Sequence, residues 1–239
     1  KALDSAQRRM ARLIPMNAFR PMGLDTAFQA MPHNKLLGLP TFSSNKQFEE
    51  QYLQRARTIR FANEICPCVV GWRGTPKGLH EVPKQRVIWM FDHAETILGL
   101  SILYPVLNAL RVLPGFEAWS NSDDVDRGVT SLIQKAMSLG DTIISADYSS
   151  FDATVNIELL ERAFELLRYW YVDEADERLS LLLEVFSTVP MVTPDGVKEG
   201  RRGGVPSGSA LTNLIDTLIN LMAGMYVSER LGVELRAYE

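Results

Sequence analysis

The pattern of apolar and polar positions divides the chain into helical segments and a few short strands. Residues 46–62 have helical spacing with basic side chains gathered on one side, closed off before Cys66 and Pro67. Residues 69–78, containing GWRGTPKG, read as an irregular loop between short strands, and RVIWMF at 86–91 is β-branched and aromatic enough for a strand. Residues 95–110 are apolar enough for a helix, and residues 123–138 predict another, with Ser122 or Asp123 placed to cap it. The run DTIISA at 141–146 predicts a short strand; a polar turn over 147–152 follows, then a helix over 157–171. Pro194, Asp195 and Gly196 sit between apolar flanks and signal a hairpin within 189–198. A Gly-rich loop over 200–208 leads into a long helix over 209–230, while residues 34–45 read as an extended loop.

Composition narrows the class. The 239 residues are 46% hydrophobic and 23% charged, enough for a buried core in one large domain or two small ones. The longest apolar stretch, 211–227, is interrupted by Asn213, Asp216, Asn220 and Gly224, which argues against a membrane helix. No charged, then apolar, leader pattern opens the sequence. Cys66 and Cys68 are poorly spaced for a disulfide and lack the second pair that a structural zinc site needs.

The formal net charge of -4 does not favour nucleic acid, but its distribution does. Between Arg55 and Arg86 seven basic residues (Arg55, Arg57, Arg60, Arg73, Lys77, Lys84, Arg86) face two acidic ones (Glu64, Glu81). Such a run is more often a solvated face than a ligand site.

Three constellations carry candidate chemistry. Asp147 and Asp152, in DYSSFD, lie at the end of the expected strand, where carboxylates can hold a divalent cation; an acidic turn capping the next helix has the same spacing. GGVPSGSALTNLID, over 203–216, joins a loop able to approach a sugar or phosphate to a helix on which Thr212 and Asp216 share one face. Lys84 and Arg86 alternate on a strand and so point the same way, towards a triphosphate or only towards water.

The order of the three is more specific than any one of them. KQRVI, SADYSSFD and GVPSGSALTN resemble motifs F, A and B of the viral RNA-dependent RNA polymerases, in particular those of the picobirnavirus and partitivirus group of double-stranded RNA viruses, over about 73–227. The resemblance implies an α+β right-hand polymerase fold with fingers and a partial palm: fingers over 1–140, palm over 141–171, a fingers insertion over 172–202, and palm again over 203–239. It implies that Asp147, assisted by the Tyr148 carbonyl, binds catalytic Mg²⁺ or Mn²⁺, and that Asp152 is the second catalytic acid. By the same resemblance Asp152, Thr212 and Asp216 recognise the ribose, Ser207 and Gly208 form a mobile loop touching template and nucleotide, and Arg86, Lys84 and Arg73 hold the triphosphate. The implied partners are RNA template and product, ribonucleoside triphosphates and a viral capsid protein, in the virion interior and host cytoplasm, with no membrane.

Two departures stand out. Many relatives carry Asn where this chain has Asp216, which puts that residue's sugar-recognition role in doubt. Motif C, the Gly-Asp-Asp turn that supplies a further metal carboxylate, does not follow Asn220. Ser122, Asp123 and Asp124 form an acidic group upstream, but a helix N-terminus explains them better than a permuted motif C. The expectation is a polymerase portion that ends before motif C and is inactive alone. The alternative is a non-catalytic RNA-binding module using the basic segment; a reverse transcriptase is a third reading, disfavoured by Ser207, Gly208 and Thr212.

Overall fold

The structure, a computed structural model, describes residues 1–31, 38–42, 48–75, 84–113, 115–116 and 119–233, with Thr75, Lys84 and Gln85 described by their backbone alone. Lys77, Glu81 and much of the loop expected over 34–45 lie outside the described residues. The architecture is α+β: helices α1 (Ala2–Ala11), α2 (Leu24–Ala30), α3 (Glu49–Thr58), α4 (His93–Leu110), α5 (Ser122–Leu139), α6 (Phe151–Thr154), α7 (Ile157–Trp170), α8 (Asp176–Thr188) and α9 (Thr212–Leu231) accompany a small mixed sheet. Its strands are β1 (Cys68–Thr75), β2 (Lys84–Met90), β3 (Met191–Thr193) and β4 (Gly196–Lys198).

The sheet order is β2-β1-β3-β4, so β2 is an edge strand. β1 and β2 pair antiparallel along seven positions, from Val69 opposite Met90 to Thr75 opposite Lys84. β1 therefore overturns the expectation of an irregular loop over 69–78. Its Gly71 and Gly74 conceal an alternation that puts Val70 and Trp72 on one face, and pairing along the whole of β2 supplies what local propensity does not. The hairpin predicted within 189–198 is present as β3 and β4, and β3 joins the sheet by parallel pairing with β1.

Helix α4 runs through the centre. Its apolar residues are buried on all sides, and it is capped by Asp92, whose carboxylate accepts from the Ala94 amide at 3.0 Å. α2, α3 and α8 pack against it, while α1 closes over α7 and α9. One continuous apolar cluster extends from Ala6 to Met222 and includes Trp170, Phe164, Phe186 and Tyr171. Fully burying a side chain such as Phe164 contributes roughly 1.5–3 kcal/mol relative to leaving it exposed.

Two more expectations need correcting. The cap of α5 is neither Ser122 nor Asp123 but Asn121, whose Oδ1 accepts from the Asp124 amide at 2.9 Å. The strand expected over 141–146 is absent: the segment has no regular structure and every residue in it is exposed, Ile144 by 75%. A strand needs a ladder partner, and none of the four described strands pairs with this segment, so its apolar pattern has no ladder to direct it. α5, immediately before it, is similarly isolated. Val125, Val129, Ile133 and Met137 recur every four residues along one stripe, yet all are exposed, and only Ala136 of this helix is buried.

Candidate functional site

The three constellations meet at one loop. Residues 201–212 run between the free edge of β2 and the turn that holds Asp152, and hydrogen bonds fix both sides. On one side the Trp89 amide donates to the Ser207 carbonyl at 2.7 Å. On the other, the Val205 amide donates to the Asp152 carbonyl at 2.7 Å and the Gly204 amide to the Val155 carbonyl at 2.6 Å. Thr212 closes the loop on itself: its hydroxyl donates to the Pro206 carbonyl at 2.9 Å and accepts from the Gly208 amide at 3.3 Å. Thr212 is thus bound to the turn of Ser207 and Gly208 as well as lying on the α9 face shared with Asp216.

Glycine is required at Gly208. Its φ is +141°, and a Cβ there would lie 2.0 Å from the Trp89 carbonyl oxygen, far inside contact distance. Arg201, which the sequence reading passed over, organises the same loop. Its guanidinium donates to the carbonyls of Gly203, Gly204 and Phe186 and lies 4.9 Å above the Trp89 ring. Its place in the Gly-rich segment, near Gly200, Gly203 and Gly204, carries no sign of this role in the sequence.

The acidic turn is shaped by Ser150, which takes a left-handed conformation with φ 53°, and by Tyr148 and Phe151, whose rings are tilted with centroids 5.0 Å apart. Phe151 also packs against the core, so the turn is anchored although the segment before it is not. Asp147 is exposed at the end of that segment, and Asp152 opens α6. Asp147 and the neighbouring Tyr148 carbonyl offer hard oxygen donors suited to a divalent cation. Among the described residues no three His, Cys, Asp or Glu side chains gather into a metal-holding group.

Asp216 is partly buried on α9, with its Oδ1 shielded from solvent and without a hydrogen-bond partner. Burial first, and then the nearby Asp152 charge, push its pKa up to about 7. Asp152 and Asp216 therefore form an interacting acid pair; the resemblance implies a sugar-recognition role for Asp152 and leaves that role of Asp216 in doubt.

On the β ribbon, Arg73 and Arg86 are directly opposite each other and both exposed. Two like charges at opposed positions repel, and an anion between them reverses the sign of the interaction. Lys84 is next along the same face, at the register position of Thr75, with its side chain outside the described residues. A cleft of about 490 Å³ between α1 and α7 is lined by Asp4, Gln7, Arg8, Glu158, Glu161, Arg162 and Glu165, and by none of the site residues.

Comparison with known proteins addresses the family of the chain and its fold. A family model described as viral RNA-dependent RNA polymerase matches residues 19–238. The RNA-directed RNA polymerase of Cryptosporidium parvum virus 1 is 30% identical over 219 residues, covering 85% of this chain and 40% of that protein. A potential RNA-dependent RNA polymerase of human picobirnavirus is 30% identical over 154 residues, covering 64% of this chain and 29% of that protein. Among solved structures, an insertion-loop deletion mutant of the RNA-dependent RNA polymerase of a human picobirnavirus superposes with a TM-score of 0.76 at 23% identity, over 99% of this chain and 48% of that one. The chain spans less than half the length of each of these relatives.

Proposed function

Because the chain belongs to the viral RNA-dependent RNA polymerase family, we propose that it forms part of an RNA-directed RNA polymerase that replicates or transcribes a viral RNA genome from ribonucleoside triphosphates. The observation that carries the reading is the loop over 201–212, hydrogen-bonded at once to β2, which bears Arg86, and to the turn that bears Asp152.

Each residue then has a role. Arg86, Arg73 and Lys84 hold the triphosphate, and their charge stabilises the negative charge that develops on the departing pyrophosphate. Asp147, with the Tyr148 carbonyl, is the metal ligand, and Asp152 is the second acid. A divalent cation, Mg²⁺ or Mn²⁺, supplies charge neutralisation and activation of the attacking 3′-hydroxyl when bound. Asp152, Thr212 and Asp216 recognise the ribose 2′-hydroxyl, the group that separates ribonucleotides from deoxyribonucleotides. Ser207 and Gly208 contact template and nucleotide. The bond formed joins the 3′-oxygen to the α-phosphorus, and the bond broken releases pyrophosphate.

In this reading residues 1–140 and 172–202 are fingers, and 141–171 and 203–239 are palm. RNA template and product and ribonucleotides are the ligands, and a capsid protein is a partner in the virion interior or host cytoplasm. No Gly-Asp-Asp sequence occurs in the 239 residues, so the purified chain is expected to bind nucleotide without synthesising RNA by itself.

Thermal unfolding with and without ATP and Mg²⁺ tests the proposal. Nucleotide should raise the midpoint, and Asp147→Ala and Arg86→Ala should each remove most of the rise. A chain protected by RNA in a strongly salt-dependent way but indifferent to nucleotide would instead be an RNA-binding module.

A further inference from the structure

The loop over 206–212 is held by a buried acid as well as by backbone contacts. Glu95, in the first turn of α4, is fully buried, and its Oε1 accepts from the Ser209 hydroxyl at 2.6 Å. Ser209 accepts in turn from the Leu211 amide at 3.2 Å, at the point where the chain enters α9. Gly99, one turn along α4, makes the close approach possible: a Cβ on it would lie 3.1 Å from Ala210 Cβ and 3.8 Å from Glu95 Oε1. The other carboxyl oxygen, Oε2, is buried without a partner. An apolar side chain of this size would cost less to bury, so packing alone gives no reason for an acid here.

We infer that Glu95 is a positioning residue for the nucleotide-contacting loop: by holding Ser209 it fixes where Ser207 and Gly208 stand along the free edge of β2. The latch itself rests on geometry; its consequence for nucleotide binding rests on the polymerase reading of that loop.

Protonation gives a means of testing the latch. Desolvation raises the Glu95 pKa, the Ser209 hydrogen bond partly opposes this, and the Asp92 charge adds to it, so that the group titrates at about 8. The other charged or titratable groups around it are Cys68 on β1, the Arg201 guanidinium, whose charge acts at Cys68, and Asp92, itself paired with Arg55 on α3 and bonded to the Cys66 amide. In the neutral form Oε1 still accepts from Ser209 while Oε2 carries the proton. A folded-state pKa above the unfolded one means that the latch is fully stable below the ordinary carboxylate range and weakens as pH rises through about 8.

The test is hydrogen exchange at the Trp89 amide, which is protected only while Ser207 is docked, with the Leu166 amide in α7 as a reference for global unfolding. At pH 7 Glu95→Gln should keep Trp89 protection, because its amide oxygen still accepts from Ser209, whereas Glu95→Ala and Ser209→Ala should each lower it about tenfold. From pH 7 to 9, after correction for intrinsic exchange, wild type should lose about tenfold relative to Glu95→Gln. Unchanged Trp89 protection in both Glu95→Ala and Ser209→Ala, or identical pH profiles for wild type and Glu95→Gln, would overturn the inference. A parallel ATP and Mg²⁺ thermal shift separates the two readings. If nucleotide protects no variant but the exchange pattern holds, the latch stands and the polymerase reading fails. If nucleotide protects Glu95→Ala as well as wild type, the latch does not serve the site.

Discussion

By the resemblance drawn from the sequence, Asp216 stands where Asn is expected, and its surroundings explain how an acid can occupy that place. Its pKa of about 7 leaves it protonated for much of the time near neutrality, when it can donate a hydrogen bond as an amide would. The sign of the effect on stability follows from the folded pKa lying above the unfolded one: Asp216 is harmless below the ordinary carboxylate range and destabilising once pH rises through about 7. Urea unfolding of Asp216→Asn should therefore match wild type near pH 4 and be more stable at pH 8. ATP protection should fall between pH 6 and 8.5 in wild type and stay flatter in the variant. Equal urea midpoints at both pH values would refute the acid-pair account.

At the scale of elements, the β1 and β2 ribbon is a charged device held by an ordinary ladder. Arg73 opposite Arg86 should cost the free ribbon roughly 0.2–1 kcal/mol. Arg73→Gln is accordingly expected to raise the midpoint slightly in plain buffer while reducing the stabilisation given by tripolyphosphate. A variant that lost stability in buffer and responded fully to tripolyphosphate would show that the pair is not an anion site. This ribbon also shows where sequence reading falters. β2 was legible because its own residues are β-branched and aromatic, but β1 owes its regularity to a partner, and two glycines hid the alternation. The loop over 200–208 and the helix after it were legible because Gly and Pro punctuate strongly. Glu95 and Arg201 were not, because an acid in an apolar helix and an arginine beside glycines declare nothing until the fold brings Ser209 and Trp89 to them.

Across the whole molecule, the core joins segments far apart in sequence, as where α1 lies on α9 and the Phe19 backbone bridges Tyr171. Such contacts leave no local trace, so the α+β class could be read from the chain while the packing could not. The segment over 141–146 shows the converse: a clear local pattern that yields no strand because strand formation is a property of pairs. The exposed stripe of Val125, Val129, Ile133 and Met137 on α5, with Ile143 and Ile144 exposed in the segment after it, has a consequence for the chain in a test tube. Exposed apolar side chains on this scale, together with a segment that joins no described strand ladder, make a sticky colloid. The folded chain should light up an environment-sensitive dye before any heating, and its light scattering should climb with concentration. Ile133→Lys combined with Met137→Glu should quieten both signals while leaving the unfolding midpoint within about 0.5 kcal/mol of wild type.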